Sequence, residues 1–151
     1  MNTPNIGLDI DGVLADFTRA WSSIYPDVPP IPDRYNYDPK MGQRFKAMKE
    51  AGTLDYFFLG LKPLIHPNDL SFKPCGYVTA RPVDTVVTKA WLSNVGFPDK
   101  PVITVPWGAN KIDAMKELGV EIFIDDFYGN FKELNDGGIL TYLYSAPWNE
   151  M

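Results

Sequence analysis

Segments of strand length and segments of helical periodicity alternate along both flanks of this 151-residue chain. Five apolar segments have the length of buried strands: residues 5–9, 76–79, 101–105, 120–124 and 139–144. Residues 84–95 and 112–118 repeat apolar side chains at helical spacing and are each followed by a glycine that can end a helix, and residues 127–134 form a further helical segment. The alternation predicts an α/β fold with a mostly parallel sheet, which binds ligands at the carboxyl ends of its strands.

The middle of the chain differs from these flanks because it is rich in aromatic residues and proline. Its clearest pattern is a helix at residues 40–51, closed by Gly52. A chain of this length suits one domain with one hydrophobic core. We therefore predict a single domain, residues 1–151, in which a core of residues 1–16 and 72–151 is interrupted by a small helical insert at residues 17–71.

Charge and composition restrict the partners of the chain. Its net charge is -5, and its 14 Lys and Arg residues form no basic stripe, so we expect a small phosphorylated ligand rather than a long nucleic acid. No apolar stretch is long enough to span a bilayer, and the amino-terminal residues do not resemble a secretory signal. Because Cys75 is the lone cysteine, the expected location is the reducing cytoplasm, or the host cytoplasm if a phage encodes the protein.

Two carboxylates, Asp9 and Asp11, stand at the end of the first predicted strand, and Gly12 allows a sharp backbone turn directly after them. Two acids at a strand end suggest a Mg²⁺ site and a phosphoryl-transfer centre, in which one carboxylate can attack phosphorus. The alternative is a solvated turn. A calcium loop of the EF-hand type is excluded, because the required glycine and glutamate are replaced by Leu14 and Ala20.

Further polar residues end other predicted strands. Thr79 and Asp125 stand at two such ends, so we expect them to meet Asp9 at one edge of the sheet. Asp126 follows Asp125 directly, and adjacent acids repel each other unless a cation lies nearby. Lys111 falls in the first turn of a predicted helix, where the helix dipole disfavours a cation. A phosphate site would explain a lysine at that position, and an exposed surface lysine is the alternative.

In chain order, these residues resemble the four motifs of the haloacid dehalogenase-like (HAD) phosphatase superfamily: Asp9-Ile10-Asp11-Gly12-Val13, Thr79, Lys111 and Asp125-Asp126. The continuation of the first motif, Leu14-Ala15-Asp16-Phe17, is similar to that of the 5′(3′)-deoxyribonucleotidase family, which includes phage and bacterial members. Residues 124–126 and the tail at residues 145–149 also resemble that family. The resemblance implies a three-layer Rossmann-like fold, with a mostly parallel sheet and a small helical cap inserted after the first strand.

The resemblance also implies roles for individual residues. Asp9 would be the nucleophile that forms an aspartyl-phosphate, and Asp11 the acid/base that protonates the leaving alcohol and then activates water. Thr79 and Lys111 would bind the phosphoryl oxygens. Phe17 would stack on the base of the substrate, and packing of its ring in the protein core is an equally weighted alternative.

The cofactor that the resemblance implies is Mg²⁺. It would be held by the Asp9 carboxylate, the Asp11 backbone carbonyl and Asp125, with Asp126 as a further ligand or an outer-shell acid. We expect Asp125 rather than Asp126 to be the direct ligand, because adjacent strand residues face opposite sides of a sheet.

The second motif departs from the family pattern. Where these nucleotidases commonly have Thr-Ser-Pro and a lysine shortly after, this chain has Thr79-Ala80-Arg81-Pro82-Val83. Arg81 could replace the missing cation and clamp a phosphate with its planar fork. A structural role for Arg81 at the strand end is the alternative.

The favoured function is Mg²⁺-dependent hydrolysis of nucleoside monophosphates, with 5′(3′)-deoxyribonucleotides as the preferred class. One alternative is a HAD phosphatase for another phosphomonoester, such as a 3′-phosphate at a nucleic-acid end or a sugar phosphate. The other is a non-catalytic module that binds Mg²⁺ and a phosphorylated ligand. The sequence leaves open the base, the sugar, the position of the phosphate and whether the chain forms a homodimer.

Overall fold

The structure is a computed structural model that describes residues 3–30 and 38–144. Within these residues it has five strands: β1 (Ile6–Leu8), β2 (Gly76–Ala80), β3 (Val102–Val105), β4 (Ile122–Asp125) and β5 (Leu140–Leu143). It also has six α-helices: α1 (Phe17–Ile24), α2 (Met41–Glu50), α3 (Leu54–Leu59), α4 (Thr85–Val95), α5 (Ile112–Leu118) and α6 (Tyr128–Asp136). The tail that resembles the deoxyribonucleotidases lies outside the described residues.

The five strands form one parallel sheet in the order β3-β2-β1-β4-β5. Strand β1 is central, and its Gly7 pairs with Gly76 of β2 on one side and with Phe123 of β4 on the other. The parallel α/β sheet predicted from the sequence is confirmed. Because β2 and β4 flank β1, the residues that follow these three strands meet at one edge of the sheet.

The helices of the core begin and end close to the predicted positions. Gly96 ends α4 with a φ of 103°, the left-handed conformation that a glycine adopts at low cost, as its position after the apolar pattern predicted. Helix α5 begins at Ile112. Lys111 therefore precedes the first turn of this helix, whereas the sequence placed it within that turn. The Asn110 side chain accepts a hydrogen bond from the Ile112 backbone N–H at 2.7 Å and thereby caps this end.

Helices α1, α2 and α3 lie between β1 and β2, in the segment predicted as an insert, and they share one continuous hydrophobic core with β1 and α4. Trp21 of α1 is fully buried, with its ring 4.9 Å from that of Phe45 in α2. On the sheet side, Trp91 of α4 donates a hydrogen bond to the Leu61 carbonyl at 2.7 Å. This shared packing holds the insert against the rest of the chain. None of the helices in the described ranges is long and apolar enough to cross a membrane.

We expect Gly96→Ala to lower the free energy of unfolding by about 1–2 kcal/mol, because a side chain in the left-handed region meets its own backbone. Chemical denaturation followed by circular dichroism measures this change. The matched control is Ser93→Ala on the exposed face of the same helix, which we expect to be neutral or slightly stabilising. Equal stability of Gly96→Ala and the parent protein would contradict the argument.

Candidate active site

The carboxyl ends of the three central strands bring together four polar side chains. Asp9 follows β1, Thr79 is in β2, and Asp125 ends β4 with Asp126 directly after it. All four are buried, with 0–5% of each residue exposed. Asp9 also continues the ladder of β1, because its backbone N–H donates to the Ile124 carbonyl at 3.0 Å. The convergence predicted from the strand ends is present in the structure.

A tight turn after β1 carries Asp11 back towards this edge. Gly12 has a φ of 84°, and its backbone N–H donates to the Ala15 carbonyl at 2.9 Å. A Cβ at this position would overlap the carboxylate of Asp126. The turn therefore requires glycine at this position for two reasons: the backbone conformation, and the space that the carboxylate of Asp126 occupies.

Lys111 is 3% exposed, which excludes a solvated surface lysine. Its Nζ atom donates to Asp9 Oδ1 at 3.0 Å and to Asp125 Oδ2 at 3.1 Å. These two carboxylates hold a cation at the amino-terminal end of α5, where the helix dipole alone would disfavour it. The charges on Asp125 and Asp9 outweigh the effect of burial, so the pKa of Lys111 lies above its ordinary value.

The cluster carries more negative than positive charge. Burial raises the pKa of Asp9 from 3.8 to about 7; the charge on Asp125 adds to this shift, and Lys111 opposes it. The pKa of Asp126 is also raised well above its ordinary value, first by burial and then by Asp9 and Asp125. Buried acids whose pKa values rise in this way favour binding of either a proton or a further cation.

The three carboxylates fit a divalent metal ion. Asp9, Asp125 and Asp126 each offer an oxygen, and these oxygens lie within 4.8 Å of one another. Oxygen donors of this kind suit Mg²⁺. Asp125 also accepts hydrogen bonds from the Asn130 side chain at 3.0 Å and from the Phe127 backbone N–H at 2.9 Å.

From the alternation of strand side chains we expected Asp125, and not Asp126, to be the direct metal ligand. The structure does not distinguish the two acids in this way. Strand β4 ends at Asp125, so Asp126 lies beyond the alternation of strand side chains, and both carboxylates join the cluster. Asp126 lines the pocket described below.

Arg81 is directed at the second acid of the first motif. Its Nε and Nη2 atoms donate to the two carboxylate oxygens of Asp11 at 2.9 and 2.7 Å. Its third nitrogen, Nη1, donates to the Thr88 hydroxyl at 3.3 Å, and its guanidinium lies over the Phe58 ring at 4.8 Å. The fork that the sequence suggested for phosphate therefore holds Asp11 in this structure.

A cavity of about 460 Å³ opens onto the cluster. Its lining includes the polar residues Asp9, Asp11, Thr79, Lys111 and Asp126 and the apolar residues Phe17, Met41, Phe45, Phe58 and Trp107. The Thr79 residue is 1% exposed, and within the described part of the chain its hydroxyl makes no hydrogen bond. A buried hydroxyl in this state is suited to bind a polar ligand that enters the cavity.

Phe17 lines this cavity and also packs in the core. Its ring stacks on Trp21 with 5.3 Å between centroids and an interplanar angle of 18°, and it meets Phe57 edge-on at 5.6 Å. Phe17 therefore packs against other rings of the core, and it also lies in the wall of the cavity, where a ligand can contact it.

Sequence reasoning missed two residues of this site, Trp107 and Asn130. Trp107 lies in the loop after β3, is 49% exposed, and its ring meets Phe45 of α2 edge-on at 5.5 Å. Asn130 lies in the first turn of α6 and binds Asp125. Both follow the carboxyl ends of strands, and this placement was the signal that could have found them.

We expect the thermal stability of the metal-free protein to fall as the pH rises from about 4 to about 7. The folded-state pKa of Asp9 is raised to about 7 from 3.8, so its contribution to stability is present below pH 3.8 and is lost as the pH rises through 7. Asp126 acts in the same direction. Melting temperatures measured in EDTA across this range test the effect. Asp9→Asn should flatten the profile, and an unchanged slope in that variant would contradict the assignment.

The fold of this chain is similar to that of a known enzyme. The crystal structure of an L-2-haloacid dehalogenase matches it with a TM-score of 0.61, over 97% of this chain and 86% of the dehalogenase chain, at 12% sequence identity. No protein-family model matches the sequence, and no curated protein sequence matches it. The parallel sheet, helices α1, α2 and α3 between β1 and β2 and this structural likeness show that the chain has an α/β fold similar to that of the dehalogenase.

Proposed function

We propose that the protein is a Mg²⁺-dependent phosphatase that hydrolyses nucleoside monophosphates, with deoxyribonucleotides preferred. The observation that carries this proposal is the pocket itself. Its lining combines a carboxylate, a buried hydroxyl and an ammonium group, from Asp9, Thr79 and Lys111, with several aromatic rings. A phosphate suits the polar groups, and a planar base suits the rings.

In the proposed reaction, Asp9 attacks the phosphorus and a bond forms between its carboxylate oxygen and phosphorus. The bond from phosphorus to the ester oxygen breaks, and Asp11 gives a proton to the departing alkoxide. Asp11 then takes a proton from water as that water attacks the phosphorus. Phosphate leaves and the Asp9 carboxylate is restored.

Lys111 and Thr79 hold the phosphoryl group during both steps. The ammonium group of Lys111 lies 3.0 Å from Asp9 Oδ1, so it favours the ionised nucleophile and lies close to the oxygens that gain charge. The Thr79 hydroxyl supplies a hydrogen-bond donor from the adjacent strand. Mg²⁺ would be held by Asp9, Asp126, Asp125 and the Asp11 backbone carbonyl, and it would neutralise charge on the phosphoryl oxygens.

The buried excess of carboxylates favours phosphate chemistry over dehalogenation, the reaction of the structural neighbour, which is an L-2-haloacid dehalogenase. Displacing a halide from a small acid needs a nucleophile but no group of acids that holds a divalent cation. Asp9, Asp125 and Asp126 could hold such a cation here, which supports a phosphatase.

The aromatic residues of the pocket lining support a nucleotide as substrate. Phe17, Phe45 and Trp107 surround a space of the size that small ligands occupy. The similarity of residues 9–17 to the deoxyribonucleotidases supports the same class. The net charge of -5 favours a mononucleotide over a nucleic-acid end.

We expect purified protein with Mg²⁺ to release phosphate from deoxyribonucleoside monophosphates, and Asp9→Asn to abolish this release. Phosphate is measured across ribonucleotides, deoxyribonucleotides, sugar phosphates, a DNA 3′-phosphate and an L-2-haloacid, the last scored by halide release. EDTA should stop the reaction.

The matched control is Asp113→Asn, which changes an exposed acid on α5 outside the pocket and should keep full activity. Release from sugar phosphates alone would keep the chemistry and exclude the nucleotide. Mg²⁺ binding without any phosphate release would favour a non-catalytic binding module.

We expect Trp107→Ala to raise KM for a nucleotide about 10-fold or more, because stacking on a base contributes about 1–3 kcal/mol. KM for 4-nitrophenyl phosphate, which lacks a base, should change less. Steady-state kinetics on both substrates measure the difference. Tyr56→Ala, which removes an aromatic ring that is 76% exposed on α3, serves as the control. An equal rise in KM for both substrates would argue against contact between Trp107 and the base.

A further inference from the structure

We infer that Arg81 is a positioning residue, which holds the Asp11 carboxyl group in the orientation needed to pass a proton to the leaving group. This inference rests on the proposed function. The sequence suggested instead that the fork of Arg81 grips the phosphate, and the two roles predict different kinetics.

The contact between Arg81 and Asp11 is bidentate. Nε donates to Oδ2 at 2.9 Å and Nη2 donates to Oδ1 at 2.7 Å, so the planar fork meets both oxygens of the carboxylate. Two parallel hydrogen bonds fix the plane of a carboxylate as well as its position. Each oxygen keeps further acceptor capacity, so Asp11 can still face the pocket that it lines.

Asp11 depends on this contact for its orientation. It lies in the turn after β1, and its side chain is 24% exposed, in contrast to the buried Asp9. Among the described residues, Arg81 supplies all the hydrogen bonds that the Asp11 carboxylate accepts from other side chains. Without Arg81, no other side-chain hydrogen bond among the described residues would fix the plane of the Asp11 carboxylate.

Arg81 is itself held rigidly enough to serve as a support. Its side chain is fully buried, and Nη1 is anchored to Thr88 of α4 at 3.3 Å. Its guanidinium also lies 4.8 Å from the centre of the Phe58 ring in α3, a cation–π contact. Arg81 thus ties Asp11 to a core helix and to the insert, and a group fixed at several points can position another precisely.

Proton transfer matters most when the leaving group is a poor one. The alkoxide of a nucleoside must receive a proton as it leaves, whereas 4-nitrophenolate departs readily without one. General acid catalysis typically contributes 10²–10⁴-fold. Substitution of a residue that positions the acid should therefore lower kcat/KM strongly for nucleotides and weakly for 4-nitrophenyl phosphate. Substitution of a residue that binds the phosphate should lower kcat/KM for both substrates.

The test compares kcat/KM for a deoxyribonucleoside monophosphate and for 4-nitrophenyl phosphate in the parent protein, Arg81→Met, Arg81→Lys and Asp11→Asn. kcat/KM includes no step after the leaving group departs, so later hydrolysis of the phosphoenzyme does not mask the effect. We expect Arg81→Met to lower the value about 100-fold for the nucleotide and less than about 5-fold for 4-nitrophenyl phosphate. Arg81→Lys should restore part of the loss.

A double variant distinguishes action through Asp11 from an independent role. If Arg81 acts by positioning Asp11, Arg81→Met should cost little further activity on the nucleotide once Asp11→Asn is present. Additive losses would overturn the inference.

Arg44→Met controls for the loss of a paired, partly buried arginine, because Arg44 binds Asp38 at 3.0 Å and Asp27 at 2.9 Å and does not itself line the pocket. It should leave the ratio between the two substrates unchanged, and melting temperatures report the folding of every variant. Equal losses on both substrates in Arg81→Met and Arg81→Lys would overturn the positioning role. Absence of turnover by the parent protein on either substrate would overturn the proposed function, and this inference with it.

Discussion

The hydrogen bonds from Lys111 to Asp9 and Asp125, at 3.0 and 3.1 Å, are the interaction on which the site depends. These hydrogen bonds join the start of α5 to the carboxyl ends of β1 and β4, where Lys111 and Asp9 line the pocket. Removal of one partner from a buried ion pair costs far more than the pair contributes, because the other charge stays buried without compensation. Asp126 lies beside the two acids that Lys111 binds, so the cluster has more negative than positive charge. Burial, followed by the repulsion among these acids, raises the pKa values of Asp9 and Asp126, and the excess of negative charge favours a metal ion.

The insert shares its hydrophobic core with the sheet. This packing holds its residues in the wall of the pocket. Most of the aromatic rings in its described residues pack in this core, among them Trp21 and Phe57. Rings at the inner surface, such as Phe45 and Phe58, both pack and face the pocket. Trp107, in the loop after β3, also lines the pocket and meets Phe45 edge-on. The wall that faces a ligand is therefore built from two parts of the chain that are distant in sequence.

The pair of Arg81 and Asp11 gives the site a second ionic contact, separate from the buried cluster. In the buried cluster, Lys111 offsets the charge of Asp9 and Asp125. In the second contact, the guanidinium of Arg81 fixes the orientation of the Asp11 carboxylate, which is partly exposed. Under the proposed function, Asp9 attacks phosphorus and Asp11 exchanges a proton, and each of these carboxylates has its own basic partner, Lys111 or Arg81.

The sequence by itself determined the alternation of strands and helices, the glycine that ends α4 and the acids at the strand ends, because these features depend on local periodicity and on backbone conformation. Parallel pairing then predicted that Asp9, Thr79 and Asp125 converge. Only the tertiary structure decided which charges meet. Arg81 is 70 residues from Asp11 in the chain, and Lys111 is 102 residues from Asp9. No local pattern encodes such contacts, because they depend on strand order and on the packing of helices, which also brought Trp107 and Asn130 to the site.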